Sequence, residues 1–434
     1  MRMLELRRSG AKLALTACLS LGGIGLRAQT LEVVPNHILV DESATIRASG
    51  LQPNERVSIR GELTDGAGHN WASEAEFVAD AQGTVDTSKQ APVKGSYKEV
   101  SSLGLVWSMK PANKEAESYA PPRELGAQTI QFQLWKNGRQ VASAPLEQCR
   151  LTENLRQIKL EGQLHGVLFL PGTTGPSPGV LVLGGSEGGL QLGKAAWLAS
   201  HGYAALSLAY FRYEGLPPEL AGIPLEYFGA ALGWMMKRPE IASDRIGVMG
   251  TSRGGELALQ LASMFPQIVA VVAYVPANVR YPACCGGVGF PYAWTWKSAP
   301  LAYVPLRDLR SPGGLTRMQA TIAVERTHGP ILLISGRDDG VWESSAMTEA
   351  IVSRLKAAHF ASTVERLDYP HAGHRAGRPE IVPTWHGRMK HPVSGRDVLL
   401  GGSPEGDAVS SVDAIEKVLQ FLHTSLLTQT VSAK

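Results

Sequence analysis

The stretch that most restricts the fold is Gly250-Thr251-Ser252-Arg253-Gly254, because of what lies on either side of it. It follows the apolar run RIGVM (245–249) without a spacer and leads straight into ELALQLASMF (256–265), which reads as a helix. A strand that becomes a helix this quickly has to turn sharply. The serine at the corner takes a strained backbone conformation, and glycines at 250 and 254 remove the Cβ atoms that would clash with it. Such a corner needs a strand with a helix returning across the sheet, which commits this part of the chain to an α/β architecture. Ser252 then stands at the carboxyl edge of the sheet and at the positive end of the helix, where the Arg253 N–H faces a developing oxyanion. The alternative is a plain βα loop in which the serine caps the helix.

The residues after 154 agree with that architecture. Apolar strand-like runs at 179–185, 204–210, 245–250, 269–275, 331–336 and 362–369 alternate with helical stretches at 190–201, 224–237, 253–264, 342–358 and 408–425. Near-continuous apolar strands interleaved with helices predict a mostly parallel sheet with helices on both faces. IKLEGQ (158–163) and HGVLFLPG (165–172) read as an antiparallel hairpin at its leading edge. Upstream the pattern differs: short strand-like segments such as ERVSIRGEL (55–63) and TIQFQLW (129–135) are separated by turn clusters such as Asp65-Gly66-Ala67-Gly68 and Asn137-Gly138. This repetition predicts an immunoglobulin-like β-sandwich. The expected division is an export signal at 1–28, the sandwich at 29–151 and the α/β domain at 152–434.

A serine hydroxyl is a weak nucleophile near neutral pH, so a histidine must take its proton and a carboxylate must hold that histidine in the right tautomer. The chain supplies them in the order serine, acid, histidine. The run 331–336 enters Arg337-Asp338-Asp339-Gly340, and the run 362–369 enters Pro370-His371-Ala372-Gly373-His374. Asp339 is favoured over Asp338, because by then the loop has left the strand and can turn toward the site, whereas Asp338 could cap the next helix. His374, freed by Gly373, is favoured over His371. A second oxyanion donor is expected from Gly184-Gly185-Ser186-Glu187-Gly188-Gly189, through the amide of Ser186 or Glu187. That loop lacks the G-x-G-x-x-G spacing of a dinucleotide site. No histidine or cysteine spacing suggests a metal, so neither metal nor cofactor is assigned.

Residues 1–28 have a basic start, an apolar run at 13–26 and Ala28 as a cleavage point, the layout of an export signal. A periplasmic or secreted protein is expected. Leu15-Thr16-Ala17-Cys18 offers a lipoprotein variant, and a cytoplasmic protein with an amphipathic extension is the alternative. The run is shorter than the roughly 20 residues of a membrane-spanning helix, so no integral span is expected. Those residues also carry a net +4 of the chain's formal +3, which leaves a nearly neutral body without the basic stripe of a nucleic-acid binder. Cys149, Cys284 and Cys285 would remain after cleavage. A bond from Cys149 to Cys284 or Cys285 is one reading of them, and buried free thiols are the other.

With these residues in view, the chain resembles the acyl-CoA thioesterase and bile-acid-CoA:amino-acid N-acyltransferase family. VDESATIRASGLQPNERVSIR and GSYKEVSSLGLVWSM look like that family's N-terminal β-sandwich; LGGSEGGL, ALSLAYFRYEGLP, GTSRGGELAL, ISGRDDGVW, YPHAGH and LLGGSPEGDAVSSVDAIEKVLQFL look like its α/β-hydrolase domain. The resemblance implies Ser252, Asp339 and His374 as a catalytic triad and an acyl thioester as the small-molecule substrate. Members known for amide synthesis carry cysteine at the elbow, whereas this chain has serine, which favours hydrolysis over transfer to an amine. An exported carboxylic-ester or lactone hydrolase of the same fold is the alternative, and a non-enzymatic binding protein a third. The residues between 275 and 331, with Tyr281, Tyr292, Trp294 and Trp296, are expected either to form a lid with an apolar acyl pocket or to be a packing excursion.

Overall fold

The computed structural model describes residues 28–113, 116–285, 291–305 and 315–427. The expected export signal lies outside them apart from Ala28.

The N-terminal part is built from two sheets around one core. Thr30–Val34, Thr45–Ser49 and Val85–Asp86 form a three-stranded sheet. The larger sheet has the order His37–Leu39, Arg139–Cys149, Gln128–Lys136, Arg56–Thr64, Asn70–Val78, Lys94–Gly95, with Lys110–Pro111 also pairing with Asn70–Val78. The pairings are antiparallel except that of Glu147–Cys149 with His37–Leu39. Alternate residues of each long strand point inward, so Ile46, Ile59, Trp71, Phe77 and Phe132 are fully buried. This core does not close on itself. Ile381, Val382, Ala408 and Ile415, from the other end of the chain, complete it.

From Arg156 onward one eight-stranded sheet organises the chain. Its strands are β1 (Arg156–Lys159), β2 (His165–Leu170), β3 (Ser177–Leu183), β4 (Ala204–Ala209), β5 (Ile241–Thr251), β6 (Ile268–Tyr274), β7 (Ile331–Gly336) and β8 (Val364–Tyr369). They lie in the order β1-β2-β4-β3-β5-β6-β7-β8, and only β2 runs antiparallel to its neighbours. Among the described residues five helices cover it: α1 (Leu192–Ser200), α2 (Glu226–Met236), α3 (Arg253–Ala262), α4 (Ser344–Ala357) and α5 (Pro404–Leu426). Alternating strand residues face opposite ways. Leu181, Val248 and Val271 pack with α2, α3 and α4 on one face, while Val182, Met249 and Val272 pack with α1 and α5 on the other. This strand order, the antiparallel second strand and the two helix layers make an α/β-hydrolase fold.

The order reverses between β3 and β5, so the loops leaving them diverge and open a crevice at their carboxyl ends. Leu183 is in register with Gly250, which sets the loop after β3 beside the elbow. Helix α5 begins earlier than its apolar spacing predicted. Ser403 caps it, its Oγ accepting the Gly406 N–H at 3.0 Å, and Pro404 occupies the first turn, where its missing N–H costs nothing. Among the described residues no helix is long and apolar enough to cross a membrane.

Candidate active site

The turn between β5 and α3 holds Ser252 at φ 59° and ψ −119°, a conformation that costs a non-glycine residue on the order of 1–3 kcal/mol. Its N–H donates to the Tyr274 carbonyl at 2.9 Å, tying the corner to β6. Both flanking glycines are steric necessities. A Cβ at 250 would stand 1.9 Å from the Gly254 carbonyl oxygen, and one at 254 would stand 2.2 Å from that of Gly184. The second contact matters most for the site, since it lets the loop after β3 touch the elbow. Arg253 opens α3, where N–H groups have no carbonyl one turn back to bond.

The three expected partners are brought together. His374 Nε2 is 2.8 Å from Ser252 Oγ, and His374 Nδ1 is 2.9 and 2.8 Å from the two oxygens of Asp339. With the carboxylate on Nδ1, that nitrogen carries the proton, and Nε2 accepts from the serine hydroxyl. The Asp339 side chain is 1% exposed and that of His374 10%. The Asp339 carboxylate also accepts the N–H groups of Val341 at 2.9 Å and Trp342 at 3.3 Å. The two competing residues pair elsewhere: His371 and Asp338 face each other at 3.4 Å, and both are exposed.

Sequence reasoning gave no structural role to residues 399–407, yet they hold the acid and histidine loops together. The Leu400 carbonyl accepts both the Gly340 N–H (3.0 Å) and the His374 N–H (2.7 Å). Gly402 N–H donates to the Asp338 carbonyl, Ser403 N–H to that of His371, and the Asp407 carboxylate accepts the Gly373 N–H at 2.8 Å. The signal was the run of glycines and the helix cap in LLGGSPEGD, which marks a tight turn but not its partner.

On the other side of Ser252, the Glu187 side chain folds back on its own loop. Its carboxylate accepts the Gly185 N–H at 3.0 Å and the Gln191 side-chain amide at 2.8 Å, so its charge shapes the turn carrying the Ser186 and Glu187 amides. His391 supports the turn from outside, with Nε2 2.9 Å from Ser186 Oγ. Its Nδ1 accepts the N–H groups of Val393 and Ser394, both at 3.2 Å, which leaves the ring proton on Nε2. Cys284, Cys285 and His391 place ligand atoms within 4.8 Å of one another. The tautomer nevertheless makes Nε2 a donor to Ser186 rather than a metal ligand, whose other nitrogen would ordinarily donate. A groove of about 580 Å³ borders this loop through Arg212, whose Nη1 donates to the Glu187 carbonyl; Tyr213, Leu216 and Val393 also line it.

One expectation needs correction. Cys149 does not bridge to the vicinal pair: it is free beside His37 at the end of Arg139–Cys149, while Cys284 is bonded to Cys285 in the segment after β6. Of the two readings of the segment between β6 and β7, Trp294 and Trp296 follow that of a packing excursion. Trp294 is a core residue, 1% exposed, with its indole N–H bonded to Glu256 at 2.7 Å, and Trp296 packs edge-on against Phe265. Tyr281 is stacked on a residue of the acid loop, Trp342.

Lys194 is a further charge that sequence reasoning missed. It reaches from α1 to the Thr251 hydroxyl, with Nζ 4.8 Å from the centre of the Tyr274 ring. Burial drives its pKa down to about 8.

Residues 41–162 match the family model described as the acyl-CoA thioester hydrolase/BAAT N-terminal region, and residues 223–283 and 303–428 match the BAAT/acyl-CoA thioester hydrolase C-terminal model. The chain is 30% identical to mouse mitochondrial acyl-coenzyme A thioesterase 2, across 96% of this chain and 95% of the relative. It is 30% identical to rat acyl-coenzyme A thioesterase 1, across 89% and 94%. Among solved structures, a putative dienelactone hydrolase from Klebsiella pneumoniae aligns at 17% identity and TM-score 0.41, covering 62% of this chain and 97% of that one. From its two halves and along nearly its whole length, the chain belongs to the BAAT/acyl-CoA thioester hydrolase family.

Proposed function

We propose that this chain is a serine hydrolase of acyl thioesters, with Ser252, His374 and Asp339 as its catalytic triad. The observation that carries the reading is the continuous hydrogen-bond line from Ser252 Oγ through the His374 ring to the Asp339 carboxylate, at 2.8 Å on either side of the ring. Ser252 Oγ attacks the thioester carbonyl carbon while His374 Nε2 takes the hydroxyl proton, and Asp339 stabilises the imidazolium. The Arg253 amide and an amide of the Ser186–Glu187 turn stabilise the oxyanion. As the intermediate collapses the C–S bond breaks, and His374 returns its proton to the departing thiolate. Water, deprotonated by His374, then attacks the acyl-serine; the ester bond breaks, and carboxylic acid and free serine are released. The names of the mouse and rat relatives support acyl-CoA as the thioester. Serine at the elbow supports hydrolysis over transfer to an amine.

A second reading keeps the machinery and changes the substrate to a carboxylic ester or lactone. Residues 1–28 favour it: an enzyme exported at Ala28 would seldom meet coenzyme A. N-terminal sequencing of the mature protein tests export, with Gln29 as the first residue if the signal is removed. For the reaction itself, thiol release from a long-chain acyl-CoA is compared with phenol release from an aryl ester. The thioesterase reading requires the larger kcat/KM on the acyl-CoA, and the loss of both activities in Ser252→Ala. The reverse preference would move the assignment to the ester class.

A further inference from the structure

The pair Arg253–Glu256 has no part in the proton relay, yet it is buried directly behind the nucleophile. Glu256 is 0% exposed and on the first turn of α3. Its carboxylate pairs with the Arg253 guanidinium, 3.1 Å from Nε and accepting from Nη2 at 3.4 Å, and accepts from the Trp294 indole and, at 3.3 Å, from the Tyr281 N–H. Arg253 in turn donates to the carbonyls of Tyr281 (3.2 Å) and Pro282 (2.8 Å). Both peptide groups of Tyr281 are therefore clamped to the elbow helix by one ion pair.

The clamp fixes a ring. Tyr281 stacks on Trp342 at 5.2 Å and 20° between planes, and Trp342 meets the His374 ring edge-to-face at 5.5 Å. The Trp342 indole N–H is spent on the Val275 carbonyl, and its backbone N–H on Asp339. Both rings stay partly exposed. What this indole presents beside the catalytic histidine is apolar surface without a free N–H.

We propose that Tyr281 and Trp342 form the wall against which the hydrocarbon of the substrate's acyl group packs, and that Arg253 and Glu256 are positioning residues that hold this wall to the elbow. The proposal rests on the acyl-hydrolase reading and adds the subsite and its chemistry. A saturated chain lying on the rings gains a factor of up to about four in kcat/KM for each methylene taken from water.

Two substrate series test it. In one, aryl esters share a leaving group and the acyl chain lengthens from acetyl to octanoyl; in the other, acetyl thioesters keep the acyl group and lengthen the thiol. The readout is the octanoyl-to-acetyl ratio of kcat/KM, in which general damage cancels. That ratio should fall about tenfold or more in Tyr281→Ala and Trp342→Ala, hold in Tyr281→Phe, and fall severalfold in Glu256→Gln, each variant checked by its thermal melt. An unchanged ratio in both alanine variants would overturn the wall. So would a loss that appears only in the thiol series. A ratio unchanged in Glu256→Gln would overturn the positioning role. Failure of the hydrolase reading is seen separately, as a wild-type enzyme that turns over no member of either series.

Discussion

Ser252, His374 and Asp339 are worth what their geometry makes of them. The Asp339 carboxylate is used on both of its oxygens, orienting the imidazole while also holding the two amides that begin the next turn. Asp339→Asn keeps the size of the side chain but cannot keep the proton on Nδ1. It should lower kcat about 10⁴-fold with little change in the thermal melt, whereas a loss of under tenfold would show that another carboxylate serves. Lys194 carries a prediction of a different kind. Its folded pKa of about 8 lies below its unfolded value, so the unfolded chain binds the proton more tightly. The cost of burying that charge is present in full below pH 8 and disappears as pH rises through the unfolded pKa. The stability of Lys194→Met relative to wild type, followed by chemical denaturation from pH 7 to pH 10, should therefore fall steadily. A flat difference would mean the ammonium carries no burial cost.

At the scale of elements, the site depends on a brace remote in sequence from the nucleophile. The 399–407 turn bonds to both the acid loop and the histidine loop, and α5 holds it in place through the Ser403 cap and the Asp407 carboxylate. Ser403→Ala should cost about 1 kcal/mol in urea unfolding. Asp407→Ala, which removes the acceptor of the Gly373 N–H, should lower kcat more than it changes KM, because that bond sets where His374 sits; an effect on KM alone would contradict this. The strands and helices of the sheet were legible within a few residues, since continuous apolar runs and turn glycines report burial on both faces. The positions of the histidine and acid were legible because each lies in a short loop leaving the carboxyl end of a strand. The brace was not, because a carbonyl that accepts two distant amides leaves no mark in composition. Nor did the sequence distinguish Trp294, an aromatic residue in the core, from Tyr281, whose ring stands beside the acid loop. Both read as aromatic residues in an irregular segment, and only the partner of each tells them apart.

At the scale of the whole molecule, the sandwich and the α/β-hydrolase sheet share interior. Ile381, Val382, Ala408 and Ile415 lie within the sandwich's core. Asp41 accepts from the Trp197 indole at 2.9 Å and bonds His201 at 2.8 Å, and Arg150 pairs with Glu380 at 3.0 Å. Both charges of that last pair are largely covered, and Glu380 also faces Arg378 at 3.5 Å. The division expected near residue 151 is thus not a break in packing. The fragment 29–151, expressed alone, should bind a hydrophobic dye and melt well below the intact chain, while the intact chain should unfold in a single transition. Two separated transitions in the intact chain would refute this shared core.

The most direct measurement is of the bond that the site is built to form. The chain from residue 29 onward is incubated with a fluorophosphonate, digested and mapped by mass spectrometry. One adduct per chain is expected, on the peptide containing Ser252, absent in Ser252→Ala and formed far more slowly in His374→Ala. An adduct on another serine, or equal labelling of the His374→Ala protein, would contradict a histidine-activated nucleophile at the elbow.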